Sequence, residues 1–356
     1  MFERSTPYVR IDKLRVPWKQ LLGCFCLFLL FSISALTAYG EESELNFFVQ
    51  PILPESQLDD GASSYFDLNL AAGDSDTLEI EIQNSSDEEI AVTVSAHTAF
   101  TNVNGLVEYG KDATDPDSTL PFALDALMTT PREVNLEPME KKTISLTLTM
   151  PEESFEGVLA GGIRLQEVLP EDGENSHEEG IAITNAFSYV LGVVVSNQRT
   201  KIDPELDLLD VFANQVNYRN VISATLQNPV STYINQLTVN ATIREEGAED
   251  ILYETSRSDM QMAPNSQFDF PIYLNGESFR SGTYVLKLTA YSEGQEWSWE
   301  ETFTIEANQA RALNRADVTI DSPINWWMIG MLALLSILAI ASLGFYLKKS
   351  KTQRNR

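Results

Sequence analysis

The segment Thr77-Leu78-Glu79-Ile80-Glu81-Ile82 decides the fold class, because its side chains alternate strictly between polar and aliphatic. Successive side chains of a β-strand point to opposite faces, so this alternation predicts a strand with one face in a core and the other in water. Residues 143–148 repeat the pattern with hydroxyl groups on the polar face. Half-buried strands of this kind are typical of antiparallel sheets. The sequence therefore predicts an all-β protein.

Turn-forming residues separate many such strands, and Asn104-Gly105 is the strongest short hairpin signal among them. The alternation predicts strands at residues 47–51, 65–70, 77–83, 90–98, 107–109, 143–150 and 158–165, and again at residues 221–227, 237–244, 251–254, 268–274, 284–291 and 297–305. Tyr284 follows Gly282 at the start of one strand, a position where a tyrosine often closes the corner of a sandwich. Two tandem Ig-like antiparallel β-sandwich domains are the predicted architecture.

The polar, acidic loop at residues 169–179 divides the two groups of strands. The apolar residues 181–195 come directly after it, and their pattern fits a strand that closes the first sandwich or one that opens the second. The domain assignment is an N-terminal domain at residues 45–168 and a C-terminal domain at residues 180–308. A polar stalk at residues 309–325 follows.

Both ends of the chain have the pattern of membrane targeting. Residues 1–40 have basic residues, an apolar stretch and a small-residue site near Gly40, which predicts a cleaved signal peptide; an uncleaved signal anchor is the alternative. Residues 326–347 are apolar throughout and make a helix of about 33 Å, long enough to cross a bilayer. The basic tail at residues 348–356 places that end in the cytoplasm. The prediction is a single-pass protein of the cell membrane with its domains outside.

Composition restricts the class of partner and the source. The net charge of −28 disfavours nucleic acid and anionic membrane surfaces as partners. Both cysteines, Cys24 and Cys26, lie in the predicted signal peptide, so the exported domains have no disulfide. Export without disulfides is usual for surface proteins of Gram-positive bacteria and predicts that source.

The sequence offers little for catalysis or metal binding. Only two histidines, His97 and His177, are present, and neither has an evident partner. No nucleophile, phosphate-loop or zinc motif occurs, so the chain is not expected to be an enzyme or to carry a cofactor. Asp112, Asp115 and Asp117 are spaced like oxygen ligands of calcium, although acidic turns that simply face water give the same pattern.

The segment from Met260 to Ser266 has two interpretations. Met260 and Met262 are candidates for an adaptable partner-binding surface, because thioether side chains repack easily. The same residues also suit a turn before a strand, with Pro264 ending the hydrogen bonding. Strand addition at an exposed sheet edge is a further docking mode for a sandwich, but the sequence does not choose the edge.

Six segments together resemble the WxL-interacting surface proteins of Gram-positive bacteria. They are residues 46–54, 65–68, 151–158, 159–163, 226–229 and 259–271. The resemblance implies two Ig-like domains, of which the first binds peptidoglycan and WxL-domain proteins and the second binds host ligands. It implies a membrane-anchored scaffold that holds WxL-domain proteins and peptidoglycan. An adhesin that grips a host or extracellular-matrix protein through its C-terminal domain is the alternative.

Overall fold

The computed structural model describes residues 46–58, 64–169, 187–320, 327, 330–332 and 334–338. The predicted signal peptide, the basic tail, His177 and all but the first residue of the acidic loop lie outside these residues, as does most of the predicted membrane span. Residues 46–356 belong to one compact unit. Within the described residues, none of the helices has the length and apolar character needed to cross a membrane.

The strands of the first sandwich form two sheets that face each other and a small separate hairpin. In chain order they are β1 (Phe47–Ile52), β2 (Phe66–Asn69), β3 (Ser75–Asn84), β4 (Ile90–Thr98), β5 (Phe100–Thr101), β6 (Val107–Glu108), β7 (Met128–Thr129), β8 (Glu133–Leu136), β9 (Lys141–Thr149), β10 (Leu159–Glu167) and β11 (Ser188–Ser196). One sheet has the order β1-β3-β9-β7 and the other β2-β11-β10-β4-β8, while β5 and β6 pair with each other. A short 3-10 helix at Asp125–Leu127 precedes β7.

The second sandwich also has two sheets, and a helix follows its last strand. Its elements are β12 (Asp207–Val216), β13 (Arg219–Asn228), β14 (Ile234–Glu245), β15 (Ile251–Met262), β16 (Ser266–Tyr273), β17 (Gly282–Ser292), β18 (Gln295–Ile305) and the helix α1 (Ala307–Ala316). The sheets have the orders β12-β13-β16 and β15-β14-β17-β18. All of the strand pairs in this sandwich are antiparallel.

Each sandwich encloses its own hydrophobic core. The alternation that begins at Leu78 buries Leu78, Ile80 and Ile82 completely, against core residues from the facing sheet such as Ile163 and Val193. In the second sandwich Val239 and Leu286 meet Phe270 from the opposite sheet. Burial of each large apolar side chain stabilises the fold by about 1.5–3 kcal/mol, so these two cores are the main source of stability.

Most of the predicted strands are confirmed, including the hairpin at Asn104-Gly105 and the tyrosine corner. The Tyr284 hydroxyl donates to the carbonyl oxygen of Arg280 at 2.9 Å. The alternation pattern gives no signal for β12, whose outward side chains are mixed, and the strand predicted at residues 251–254 ends eight residues before β15 does. Three strands of two to four residues, β5, β7 and β8, were not predicted, although β2 and β6, which are equally short, were.

The position of β11 decides which sandwich the apolar strand within residues 181–195 packs on, a choice that the sequence leaves open. This strand pairs antiparallel with β10, from Leu159↔Val195 to Gln166↔Ser188, and parallel with β2. Its Val193 and Val195 are fully buried in the core of the first sandwich. The strand therefore closes the first sandwich, and the chain passes to the second only after Ser196.

The helix α1 and the residues after it are fastened to the second sandwich by Asp317. The Asp317 carboxylate accepts hydrogen bonds from the backbone N–H of Asn220 at 2.7 Å and from the Thr319 N–H and hydroxyl, both at 2.6 Å. Gln215 and Asn314 add side-chain hydrogen bonds to the same region. Burial raises the pKa of Asp317, but these hydrogen bonds and the Ile320 amide outweigh burial, so its pKa lies below the ordinary value.

We expect Asp317→Asn to remove a pH-dependent part of the stability. Since the folded pKa is lowered, the carboxylate stabilises the fold above its unfolded pKa of about 3.9 and loses that contribution as pH falls through the folded pKa. The gap in thermal midpoint between wild type and D317N should therefore be present at pH 7 and shrink below about pH 4. Glu293→Gln, in an exposed turn, serves as the control. A gap that is unchanged by pH would contradict this role for Asp317.

Candidate functional site

The β5–β6 hairpin of the first sandwich packs against the end of β15 in the second. The carbonyl oxygen of Gly105 accepts a hydrogen bond from the backbone N–H of Gln261 at 2.8 Å. Gly105 has φ +67, and a Cβ there would lie 2.5 Å from the sulfur of Met260. A glycine at the turn therefore allows the hairpin to contact the second sandwich directly.

A buried hydroxyl pair lies beside this hairpin. Thr101 Oγ1 accepts the backbone N–H of Ala263 at 3.0 Å and lies 2.6 Å from Ser266 Oγ. Ser266 donates in turn to the carbonyl oxygen of Ala263 at 2.8 Å. Thr101 is 3% exposed and Ser266 2%, so these polar groups satisfy each other away from water.

The loop around Asp117, which precedes the 3-10 helix, forms a second polar contact. Both carboxylate oxygens of Asp117 accept from the Gln227 side-chain amide, at 2.8 and 3.0 Å. Thr119 N–H and its hydroxyl donate to Asp117 at 2.8 and 2.6 Å. The Asn265 amide donates to the carbonyl oxygen of Thr119 at 3.0 Å. The loop is thus tied to β13 and to the turn before β16.

A third contact brings two backbones together at Gly157. The N–H of Val158 donates to the carbonyl oxygen of Ser231 at 2.8 Å. Gly157 has φ +74, and a Cβ there would lie 2.2 Å from that same oxygen. Only glycine fits this approach without moving a backbone.

A small apolar cluster fills the space between these polar contacts. Ala99, Ala160 and Ala263 pack together with Val107, Tyr109 and Tyr233. The Tyr109 hydroxyl donates to the Tyr233 hydroxyl at 3.2 Å. Burial raises the pKa of Tyr109 and, to a greater extent, that of Tyr233, so both rings stay neutral. We call this set of contacts the junction.

A groove of about 500 Å³ opens beside the junction and is lined by both sandwiches. From the first sandwich it receives Phe100, Thr101, Asn102, Val103, Lys111, Asp112 and Thr114, and from the second Asn214, Gln215, Val216, Phe268 and Asp269. The Lys111 ammonium is 5.9 Å from the centre of the Phe100 ring. An aromatic ring beside hydroxyl, ammonium and carboxylate groups suits a ligand with apolar faces and polar edges, such as a sugar.

The structure separates the three predicted calcium ligands. Asp112 accepts from His97 Nδ1 at 3.0 Å and from the Thr98 N–H at 3.2 Å, Asp115 is exposed, and Asp117 is buried at the junction. Among the described residues, no group of three or more His, Cys, Asp or Glu side chains is placed to hold a metal ion. Asp117 thus acts as a hydrogen-bond acceptor between the sandwiches, a role that its spacing alone did not indicate.

The structure also corrects the interpretation of Met260 and Met262 as a partner-binding surface. Met260 is 3% exposed and Met262 is fully buried, and both belong to the core of the second sandwich. The alternative interpretation as a turn fits residues 264–265, with Asn265 at φ +48. The segment does have a binding role within the chain, because its backbone carries the N–H groups that meet the hairpin.

Sequence reasoning missed the other junction residues, including Thr101, Gln227 and Ser231. Each is a small or polar residue at a strand end or in a turn, where the alternation pattern gives no signal. Gly105 was visible as a turn residue, but the sequence did not show that the second sandwich approaches it, and it gave no signal at Gly157.

The fold and the junction define a class of protein: two β-sandwiches joined through a buried contact, with a shared open groove. Residues 47–167 match the family model of the WxL Interacting Protein peptidoglycan binding domain, and residues 178–315 match that of the host binding domain. The chain therefore belongs to the WxL-interacting protein family.

Comparison with solved structures gives distant likenesses to bacterial fimbrial chaperones, whereas no curated protein matches the sequence. A chaperone–tip adhesin complex of CFA/I fimbriae is 12% identical, with 71% of this chain and 98% of that chain covered and a TM-score of 0.32. The CsuC–CsuE pre-assembly complex of Acinetobacter baumannii is also 12% identical, covering 72% and 98%, with a TM-score of 0.31. The E. coli chaperone DraB is 12% identical, covering 73% and 98%, with a TM-score of 0.28. At these values the likeness supports no functional conclusion.

We expect Gly157→Ala to loosen the junction. The added methyl group would meet the Ser231 carbonyl oxygen, so one backbone has to move and the Val158 hydrogen bond is lost. The matched control is Gly247→Ala, since Gly247 also has a positive φ but nothing lies within 4 Å of its Cβ position. We expect G157A to lower the free energy of unfolding by about 1–3 kcal/mol more than G247A does, measured in urea. Equal losses in the two variants would show that the close approach at Ser231 contributes nothing.

Proposed function

We propose that this chain is a membrane-anchored scaffold at the cell surface that holds WxL-domain proteins and cell-wall peptidoglycan. The observation that carries the proposal is the junction, which fixes two family-type binding domains to each other and leaves a groove lined by both. The groove volume of about 500 Å³ is within the ordinary range for ligand sites. Membership of the WxL-interacting family supports the choice of partners.

The family match, rather than the chemistry of the groove, supports binding without catalysis. Two carboxylates of the groove, Asp112 and Asp269, are engaged with His97 and with the Thr225 hydroxyl, the latter at 2.7 Å. His97 is also bonded to Ser95 Oγ at 2.8 Å, so Ser95, His97 and Asp112 form one hydrogen-bonded row of a hydroxyl, an imidazole and a carboxylate.

An adhesin is the second candidate function. The match of residues 178–315 to the host binding domain favours it, and these bounds are close to those of the predicted C-terminal domain at residues 180–308. Because β11 belongs to the first sandwich, a fragment that begins at residue 180 removes a central strand from its sheet. Binding of host or matrix proteins is therefore best measured with both sandwiches present.

Binding of peptidoglycan in the groove is tested by substitutions that block the groove. A soluble fragment of residues 46–320 contains both cores, the junction and α1, and so keeps every contact described above. Thr114→Arg and Val103→Arg place a large side chain in the groove, and we expect each to weaken sedimentation with purified peptidoglycan at least roughly tenfold. Thr147→Arg, on the exposed outer face of β9, is the control and should bind as wild type does. If all four proteins sediment equally, the groove is not the wall-binding site; if wild type fails to sediment, peptidoglycan binding itself is excluded.

Anchoring in the membrane is tested by fractionating cells. The apolar run at residues 326–347 supports an anchor of sufficient length. We expect the full chain in the membrane fraction, and its two sandwiches to be cut by protease added to intact cells. Deletion of residues 326–356 should release the protein into the medium. Release of the undeleted chain in growing cultures would contradict membrane anchoring.

A further inference from the structure

The second sandwich has four edge strands: β12 and β16 in one sheet, β15 and β18 in the other. An edge presents unpaired N–H and C=O groups that can pair with another chain, and proteins usually protect such edges with proline, bulges, charges or covering elements. Three of the four edges here have recognisable protection of the backbone, and β18 does not.

The backbone of β12 is capped by neighbouring side chains. Asp210 Oδ1 accepts the N–H of Val211 at 2.8 Å, and Asn214 Oδ1 accepts the N–H of Gln215 at 2.8 Å. From α1, the Gln309 amide reaches the carbonyl oxygen of Ala213 at 3.4 Å. These groups occupy the positions that an added strand would need.

The edges β16 and β15 are protected in other ways. Pro271 lies within β16 and removes one N–H from the strand. The pairing of β15 with β14 has three irregularities, so β15 does not present a regular row of groups. Neither edge offers the flat template that strand addition requires.

The edge strand β18 pairs with β17 without any irregularity, from Gly282↔Ile305 to Ser292↔Gln295. It has no proline over its 11 residues. In the part of the chain that the structure describes, no side chain or helix caps its outer backbone groups. It is therefore a long and regular edge, with β12 beside it only around residues 301–303.

The register shows which backbone groups of β18 are available. The carbonyl oxygen of Thr283 accepts the N–H of Glu246 at 3.0 Å, so Thr283 faces β14 rather than β18. Thr304 lies opposite Thr283 and consequently presents its N–H and C=O away from β17. Because the direction alternates along a strand, the same holds for Glu296, Ser298, Glu300 and Thr302.

A cleft of about 180 Å³ lies between β18 and the bulged part of β12, lined by residues 208–211 and 301–303. Two carboxylates, Asp210 and Glu301, are exposed in this lining. Glu301 has no ion pair with any described residue, in contrast to Glu300, which lies 3.0 Å from the Arg244 guanidinium. The inner face of β18 also carries the half-buried rings of Trp297 and Trp299. An incoming strand would therefore meet apolar rings and, at the cleft, uncompensated negative charge.

We infer that β18 docks an extended segment of a partner protein as an additional strand, with a lysine or arginine of that segment in the cleft beside Asp210 and Glu301. Main-chain hydrogen bonds to residues 296–300 provide the pairing, and the basic side chain, which enters the cleft at the end of this stretch, sets the register. Self-pairing of two copies through β18 is disfavoured, because it adds a second set of carboxylates to an edge that is already acidic. This docking site is separate from the groove and does not depend on the scaffold function.

The test uses the fragment of residues 46–320 and a labelled strand peptide, acetyl-Val-Thr-Val-Thr-Lys-Thr-Val-Thr-amide, with binding followed by fluorescence anisotropy. Replacing the peptide's lysine by glutamate should weaken binding at least roughly tenfold. Glu301→Lys should reverse this preference. Hydrogen exchange should slow at residues 296–300 when the lysine peptide is bound.

The matched pair Ser298→Pro and Ser298→Ala separates strand addition from a charge effect. Proline at position 298 removes one outward N–H and breaks no hydrogen bond to β17, so we expect the fold to tolerate it. Thermal unfolding of S298P checks this. We expect S298P to lose at least roughly tenfold in affinity and S298A to bind within about twofold of wild type. T114R, which blocks the groove, should bind the peptide normally, so the two proposals fail independently.

Three results would overturn the inference. They are no peptide binding, equal affinity of S298P and S298A, and a concentration-dependent dimer of wild type that S298P abolishes. The last would identify a second copy of this chain as the occupant of β18.

Discussion

Hydrogen-bonding groups that are buried between the two sandwiches have to satisfy one another, and the rest of the structure depends on that requirement. Thr101 Oγ1, the Ala263 N–H and Ser266 Oγ are removed from water together. Leaving one such group unpaired costs about 1–3 kcal/mol, which is a large share of the stability of a domain. Residues on both sides of the junction are therefore constrained by one another.

The same requirement explains why Gly157, Gly105 and the loop around Asp117 lie at the junction. Gly157 and Gly105 allow a carbonyl oxygen and an N–H from different sandwiches to meet, since a side chain would run into the Ser231 carbonyl oxygen at the first position and into the Met260 side chain at the second. Asp117 supplies acceptors for an amide of the second sandwich and for its own turn. The junction combines these bonds with the small apolar cluster around Ala99, Ala160 and Ala263, so its geometry depends on both. The groove that supports the proposed function exists only while they hold.

The second sandwich shows how differently four edges of one domain can be treated. Side-chain caps, a proline and bulges close three of them, whereas β18 stays regular over its whole length. Its charge is the one protection it has, and negative charge discriminates between partners rather than excluding all of them. The two proposals thus place binding on two kinds of surface: a concave groove for small polar groups and a straight edge for a polypeptide.

The sequence by itself determined the all-β class, most strands, the hairpin at Asn104-Gly105 and the tyrosine corner, because each rests on a local period or a local turn. The family could also be predicted from its segments. Only the tertiary structure decided where β11 belongs, because an apolar strand fits either core equally well until its partners are known. The same is true of Asp117 and Met260: a carboxylate and a thioether have several suitable environments, and the approach of residues over 100 positions away selects one. Strand edges are likewise invisible in the sequence, since a hydrogen bond between strands depends on chain topology and not on the residues that make it.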